Sequence, residues 1–121
     1  MFIRFFDSKL KKKSVHCRAV LLDIATDERD THEGVLNFEL RFVLISPLTY
    51  ETKEIRYSFV GVNGDIRADY FFGFLKKKGI RYEEYYELVG LVADVEICKS
   101  WEQQEFFVFK KLLAKPPKLQ G

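Results

Sequence analysis

The chain contains few of the residues that build catalytic or metal centres. Two cysteines, Cys17 and Cys98, and two histidines, His16 and His32, occur in 121 residues, and they lack the close ligand pairs of zinc sites. His16 and Cys17 cannot form a catalytic dyad in one strand, because neighbouring side chains point to opposite faces. The sequence has neither a glycine-rich phosphate loop nor a nucleophile elbow. It therefore predicts no enzyme, no metal site and no cofactor.

Long hydrophobic runs are also missing. No stretch approaches the roughly 18 apolar residues that a membrane span needs, and residues 1–13 run apolar first and basic second, the reverse of a secretory signal. We therefore expect a cytoplasmic protein with no membrane association. Its cysteines should be free thiols in that reducing compartment, although a disulfide between Cys17 and Cys98 stays open if they face each other on neighbouring strands.

The chain has enough apolar residues to form one hydrophobic core. Apolar residues make up 47% of it and include twelve phenylalanines, which is typical of a globular protein and not of a disordered one. At 121 residues the chain is expected to be a single domain, with a basic segment at 1–13 and an extended tail at 114–121.

Charge is unevenly distributed. Residues 1–18 carry +5 and residues 110–121 carry +4, so a net charge of +2 leaves −7 on the residues between them. Basic ends on an acidic body are typical of proteins that grip a polyanion with their ends. Solvated lysine-rich tails that maintain solubility are an equally good interpretation.

Strand periodicity dominates the first half of the chain. Residues 15–25 are rich in β-branched and apolar types and precede a polar loop that ends in glycine. Residues 35–45 and 50–62 alternate apolar and polar side chains, and the turn between them contains Pro47, which cannot donate to a ladder. These two stretches are predicted to pair as a hairpin. Residues 2–6 are a candidate for an additional edge strand.

Residues 65–78 change to a helical period. Ile66, Tyr70 and Phe74 recur at helical spacing, Asp65 suits the N-terminus, and three lysines at 76–78 suit the C-terminus before Gly79. A helical turn is expected at 81–88, with Tyr85 and Leu88 buried. Strands follow at 91–98 and 104–113, joined by a turn at 99–103, and the tail at 114–121 has no evident packing capacity.

Five strands with one helix between the third and fourth is the element order of the OB fold, a partly open Greek-key barrel. We therefore predict a mainly β chain that forms an OB-fold-like five-stranded Greek-key barrel. Other five-stranded arrangements remain open.

Three motifs extend this prediction: a helix ending in FLKKKGI, the run ELVGLVADVEI, and a last strand FFVFKKL. Together with the preceding hairpin, residues 35–111 resemble the small OB-fold single-stranded-DNA-binding proteins of bacteriophages and mobile elements, in which a leucine-x-glycine step matches Leu88, Val89 and Gly90 here. The resemblance implies single-stranded DNA binding in replication or recombination, without sequence preference. Where bacterial single-strand binders have an acidic, phenylalanine-ended tail, this chain has KPPKLQG.

A single-strand binder needs cations that follow phosphates and aromatic rings on which bases stack. The polar face of the predicted hairpin and the strands beside it supply both types. The candidate nucleic-acid-binding residues are Arg18, Arg41, Lys53, Arg56, Tyr57, Lys99, Trp101, Phe106 and Lys110. Trp101 is the best stacking candidate, with a lid over one end of the barrel as its alternative role, and core packing is the stronger alternative for Tyr57.

The first inter-strand connection argues against DNA, because the acidic residues around it would repel phosphate: Asp23, Asp27, Glu28, Asp30 and Glu33. The alternative function is therefore a protein-interaction module that docks through its aromatic last strand, with a replication protein or a second copy as partner. RNA in place of DNA is also left open.

Overall fold

The structure, a computed structural model, describes residues 15–28 and 34–119. Over these residues it confirms a mainly β fold with one α-helix. The strands are β1 (Val15–Glu28), β2 (Leu36–Ile45), β3 (Thr52–Val60), β4 (Val92–Lys99) and β5 (Glu105–Ala114); the helix α1 (Ile66–Lys77) lies between β3 and β4. The predicted basic segment 1–13, the edge strand at 2–6 and the end of the tail lie outside the described residues.

All five strands belong to one antiparallel sheet in the order β3-β2-β1-β4-β5. β2 and β3 form the predicted hairpin, in which Arg41 pairs with Arg56. Within the described residues, β3 and β5 are the two edges of an open sheet and no backbone ladder joins them. The expected closed barrel is therefore not formed by backbone pairing.

Side chains bridge these two edges. The Tyr57 hydroxyl accepts a hydrogen bond from the Phe107 amide at 2.8 Å. From α1, the Arg67 guanidinium donates to the Ser58 carbonyl on β3 at 2.9 Å and to the Glu105 carbonyl on β5 at 2.8 Å. The bridge satisfies three backbone groups that a closed ladder would otherwise have to pair.

Helix α1 begins and ends where its sequence indicates. The Asp65 carboxylate accepts hydrogen bonds from the amides of Arg67 and Ala68, which caps the N-terminus. At the other end, Gly79 adopts a φ of +70° and Ile80 donates its amide to the Leu75 carbonyl. This pair of features is a Schellman motif, for which glycine is favoured because a side chain disfavours positive φ.

The core lies between the helix and one face of the sheet. Phe71, Phe74 and Leu75 of α1 are buried, and Phe71 and Phe74 contact Phe109 of β5 at ring-centroid distances of 5.6 Å and 5.3 Å. A 3-10 helix at Tyr85–Leu88 places Leu88 in the same core. The predicted turn with buried Leu88 is confirmed, whereas Tyr85 is only half-buried.

The C-terminal segment packs, contrary to the expected tail. Strand β5 runs to Ala114, Pro116 is fully buried, and Pro117–Leu119 forms a 3-10 helix whose Leu119 packs against the core. A β-carbon at Gly90 would lie 2.4 Å from Cδ of Pro117. Pro116 and Pro117 therefore pack this segment against the protein, with Pro117 in close contact with Gly90 just before β4.

Both cysteines are free thiols. Cys17 pairs with Val95 and Cys98 with Phe106 in the sheet register, so the two cysteines do not face each other. In the part of the chain that the structure describes, no helix has the length and apolar character required to cross a bilayer.

Candidate nucleic-acid interface

The predicted cations all lie on strands of the sheet, and three of the six are paired with carboxylates. Arg41 forms ion pairs with Glu54 and, at 3.9 Å, with Asp23. Arg56 pairs with Glu39 at 3.7 Å. These contacts cross β1, β2 and β3, so the surface of the hairpin is a mosaic of both signs and not a continuous basic groove.

Lys110 is also paired, with Glu96 of β4 at 3.4 Å. Lys53 lies at the start of β3 and Lys99 at the end of β4, and both make contacts within the protein. A cation that is already paired must give up its partner before it can hold a phosphate, which reduces the net gain. Arg41, Arg56 and Lys110 are therefore weaker phosphate ligands than their sequence positions indicate.

Arg18 differs from the other predicted cations. It lies exposed on β1, and within 4.0 Å of its side chain the described residues provide no carboxylate oxygen. Lys111 on β5 has the same property. In the sheet register Arg18 pairs with Asp94, and Asp94 pairs in turn with Lys111, so the two cations stand on either side of one carboxylate.

A bulge explains why Lys111 reaches this surface. Asp94 pairs with Lys111 but Val95 pairs with Phe109, so Lys110 is an extra residue in β5. The bulge lets two consecutive lysines face outward, where strict alternation would send one of them into the core. Sequence reasoning missed Lys111 for this reason. The sequence did contain an indication that Lys111 is exposed: Lys110 and Lys111 are adjacent, and neither lysine could be buried without a partner of opposite charge.

These residues line one concavity of about 480 Å³, a volume within the roughly 300–1,000 Å³ of small-ligand sites. We call it the basic concavity; its lining includes His16, Arg18, Tyr50, Asp94, Lys110 and Lys111. Tyr50 is 76% exposed, at the end of the β2–β3 turn. It was not among the predicted aromatic residues.

Tyr50 is held in a left-handed conformation with a φ of +62°. The Ser46 hydroxyl accepts hydrogen bonds from the amides of Leu48 and Thr49, and the Tyr50 amide donates to the Ser46 carbonyl. A bulky side chain at positive φ costs on the order of 1–3 kcal/mol, and such residues concentrate at functional sites. The turn therefore presents the tyrosine ring to solvent at an energetic cost.

The other predicted aromatic residues lie elsewhere. Tyr57 is 1% exposed and stacks on Phe107, so it offers no surface to a base. Burial raises its pKa well above the usual range, more than the nearby Phe107 amide and Arg67 lower it. Phe106 is also buried, because its ring stacks on Tyr70 of α1 at 5.3 Å. The aromatic strand is thus covered by the helix.

Trp101 is 93% exposed in the β4–β5 turn, so it is not a lid over the core. It lines a shallow concavity with Asp65, Glu102 and Gln104, next to a groove that contains Asp27 and Glu39. None of these residues lines the basic concavity. The predicted site thus separates into an acidic region with the tryptophan and a basic region with Arg18 and Lys110.

No family model, curated protein or solved structure matches this chain. Among the described residues, no cluster of histidine, cysteine and acidic side chains could hold a metal ion.

Proposed function

We propose that this chain is an OB-fold-like module that binds single-stranded DNA through the basic concavity, without requiring a particular sequence. The order β3-β2-β1-β4-β5 supports an OB-like arrangement, because it is the order that an OB barrel has when β3 and β5 meet. The side-chain bridge from Tyr57 and Arg67 holds those edges close together. A role in replication or recombination belongs to the same proposal and rests on the sequence resemblance.

One observation carries the binding proposal: Arg18 and Lys111, which have no carboxylate partner among the described residues, line a concavity that also holds an exposed tyrosine ring. Cross-strand neighbours have β-carbons about 4.5–5.5 Å apart, so the β-carbons of Arg18 and Lys111, one strand apart on either side of Asp94, are separated by roughly twice that distance. They can contact successive phosphates of an extended strand while a base stacks on Tyr50. Phosphate contacts of this kind carry no sequence information.

The test is a fluorescence-anisotropy titration of labelled oligo-dT at several salt concentrations. The slope of log K against log salt should be about −0.7 for each phosphate contact. Replacing Lys111 with Gln should weaken binding and make the slope shallower by about 0.7. Replacing Tyr50 with Ala should weaken binding by roughly 1–3 kcal/mol. Arg56→Gln is the matched control, since that arginine is paired with Glu39 on another part of the sheet.

The proposal fails if wild-type protein produces no anisotropy change at low salt. It also fails if Arg56→Gln and Lys111→Gln weaken binding equally, because the basic concavity would then have no special role. Running ribo-oligomers of the same length beside oligo-dT decides between DNA and RNA.

Trp101 favours a second candidate function, a protein-interaction module. Its exposed ring stands beside Asp65 and Glu102, which attract a basic protein segment and repel phosphate. The strand of Phe106, on which this alternative first rested, is covered by Tyr70. A Trp101 fluorescence change on adding an arginine-rich peptide, together with no anisotropy change of labelled oligo-dT, would favour this candidate.

A further inference from the structure

The basic concavity contains a carboxylate that phosphate binding does not explain. Asp94 is half-buried on β4, directly between Arg18 on β1 and Lys111 on β5. Although both neighbours are cations, Asp94 makes no ion pair within 4.0 Å among the described residues. Its two oxygens are therefore available to a ligand that occupies the concavity.

A carboxylate accepts hydrogen bonds and donates none. Of the four DNA bases, only guanine presents two adjacent donors, N1–H and the N2 amino group, on its Watson–Crick edge. Adenine and cytosine place a ring acceptor beside their amino group, and thymine flanks its N3–H with two carbonyls. A guanine can therefore engage both carboxylate oxygens, whereas each other base sets an acceptor against the negative charge.

We propose that the basic concavity holds one unpaired guanine, with Asp94 as the residue that reads its Watson–Crick edge. This inference rests on the proposed single-strand binding and adds a base preference at one position. Tyr50 stacks on the base, and Arg18 and Lys111 hold the phosphates on either side of it. The sequence-independent affinity comes from these phosphate contacts, and the preference comes from Asp94.

The experiment compares oligo-dT with the same oligomer carrying one central guanine, inosine or adenine. Wild-type protein should bind the guanine oligomer about tenfold more tightly than oligo-dT, which is the scale of one bidentate base contact. Inosine lacks the N2 amino group and should fall between them. Adenine should give no gain.

Two variants separate recognition of the guanine by Asp94 from the general effect of removing a negative charge near the phosphates. Asp94→Asn should abolish the guanine preference and strengthen binding of oligo-dT, because it removes a negative charge from the phosphate site. Glu96→Gln removes a neighbouring carboxylate on the same strand, one that is paired with Lys110. It should strengthen binding of oligo-dT in the same way and leave the guanine preference unchanged.

The outcomes distinguish the two proposals. Absence of binding to every oligomer at low salt overturns single-strand binding and the guanine site with it. Binding of oligo-dT with no gain from guanine overturns the guanine site alone, as does a preference that survives in Asp94→Asn.

Discussion

The ring of Tyr57 on β3 stacks on Phe107 of β5 with centroids 4.4 Å apart, and its hydroxyl accepts a hydrogen bond from the Phe107 amide at 2.8 Å. One side chain thus joins the two edges of the sheet by packing and by hydrogen bonding. The Arg67 guanidinium lies 4.4 Å from the same ring. We call this contact between the edges of β3 and β5 the seam. It depends on Tyr57 and Arg67, so substitutions of these two residues test its contribution to stability.

Replacing Tyr57 with Phe should lower the free energy of unfolding by about 1–3 kcal/mol, because the buried Phe107 amide loses its acceptor while the packing is retained. Urea denaturation followed by circular dichroism measures this change. Tyr50→Phe removes an exposed hydroxyl and should leave the midpoint unchanged. Equal stability of both variants would show that the hydroxyl does not hold the seam.

Replacing Arg67 with Gln should also destabilise the protein, by roughly 1–3 kcal/mol, because the carbonyls of Ser58 and Glu105 both lose a charged donor. Arg81→Gln is the control, since that side chain is exposed. If Arg67 and Tyr57 act as one bridge, the double variant should lose less stability than the two single losses added together. Additive losses would indicate two independent contacts.

Replacing Gly90 with Ala should destabilise the protein strongly. Gly90 has a φ of +96°, and the new β-carbon would lie 2.4 Å from Pro117, so the C-terminal segment must move. Thermal melting measures the loss, and faster proteolysis near the C-terminus would report the displaced segment. An unchanged melting temperature would contradict the contact between Gly90 and Pro117.

Gly73→Ala is the matched glycine substitution, and we expect it to change the free energy of unfolding in the opposite direction. Gly73 lies within α1 and its added β-carbon would meet no atom within 4 Å. Alanine should therefore stabilise the protein by about 0.5–1 kcal/mol, because it restricts the unfolded chain and suits a helix better. If Gly73→Ala instead lowered the stability, the added methyl group would have to clash with part of the protein, which would contradict the open space around Gly73.

Stability should fall at alkaline pH because of Cys17. Burial, and secondarily the Asp94 carboxylate, raises the pKa of this thiol from 9.0 to about 11. Between those values the folded state binds more protons than the unfolded state, so the free energy of unfolding decreases as pH rises. The contribution is complete below pH 9 and is lost as pH approaches about 11.

Urea midpoints measured across this interval should decline in wild-type protein and decline less steeply in Cys17→Ala. Some slope remains in the variant, since burial raises the pKa of Tyr57 as well and its effect has the same sign. Identical slopes in the two proteins would show that Cys17 does not titrate differently on folding.

Local signals predicted the elements well. Alternation located β2 and β3, and Asp65 and Gly79 marked the ends of α1 because capping depends on backbone groups a few residues away. The candidate site was predicted less well. Of the predicted residues, Arg18 and Lys110 both line the basic concavity, whereas Trp101 lies beside acidic groups. Tyr50 and Lys111 were not among the candidate binding residues predicted from the sequence.

The amino-acid sequence alone determined which stretches become strands, where the helix starts and stops, and which side chains are apolar enough to form a core. The tertiary structure decided which cations are paired, since Arg41 and Arg56 meet carboxylates across strands, whereas Arg18 meets none within the part of the chain that the structure describes. It also decided that Phe106 is covered and that Lys111 faces outward. These outcomes depend on the strand register, on the bulge in β5 and on how α1 packs on the sheet, all of which arise from contacts between residues far apart in the chain.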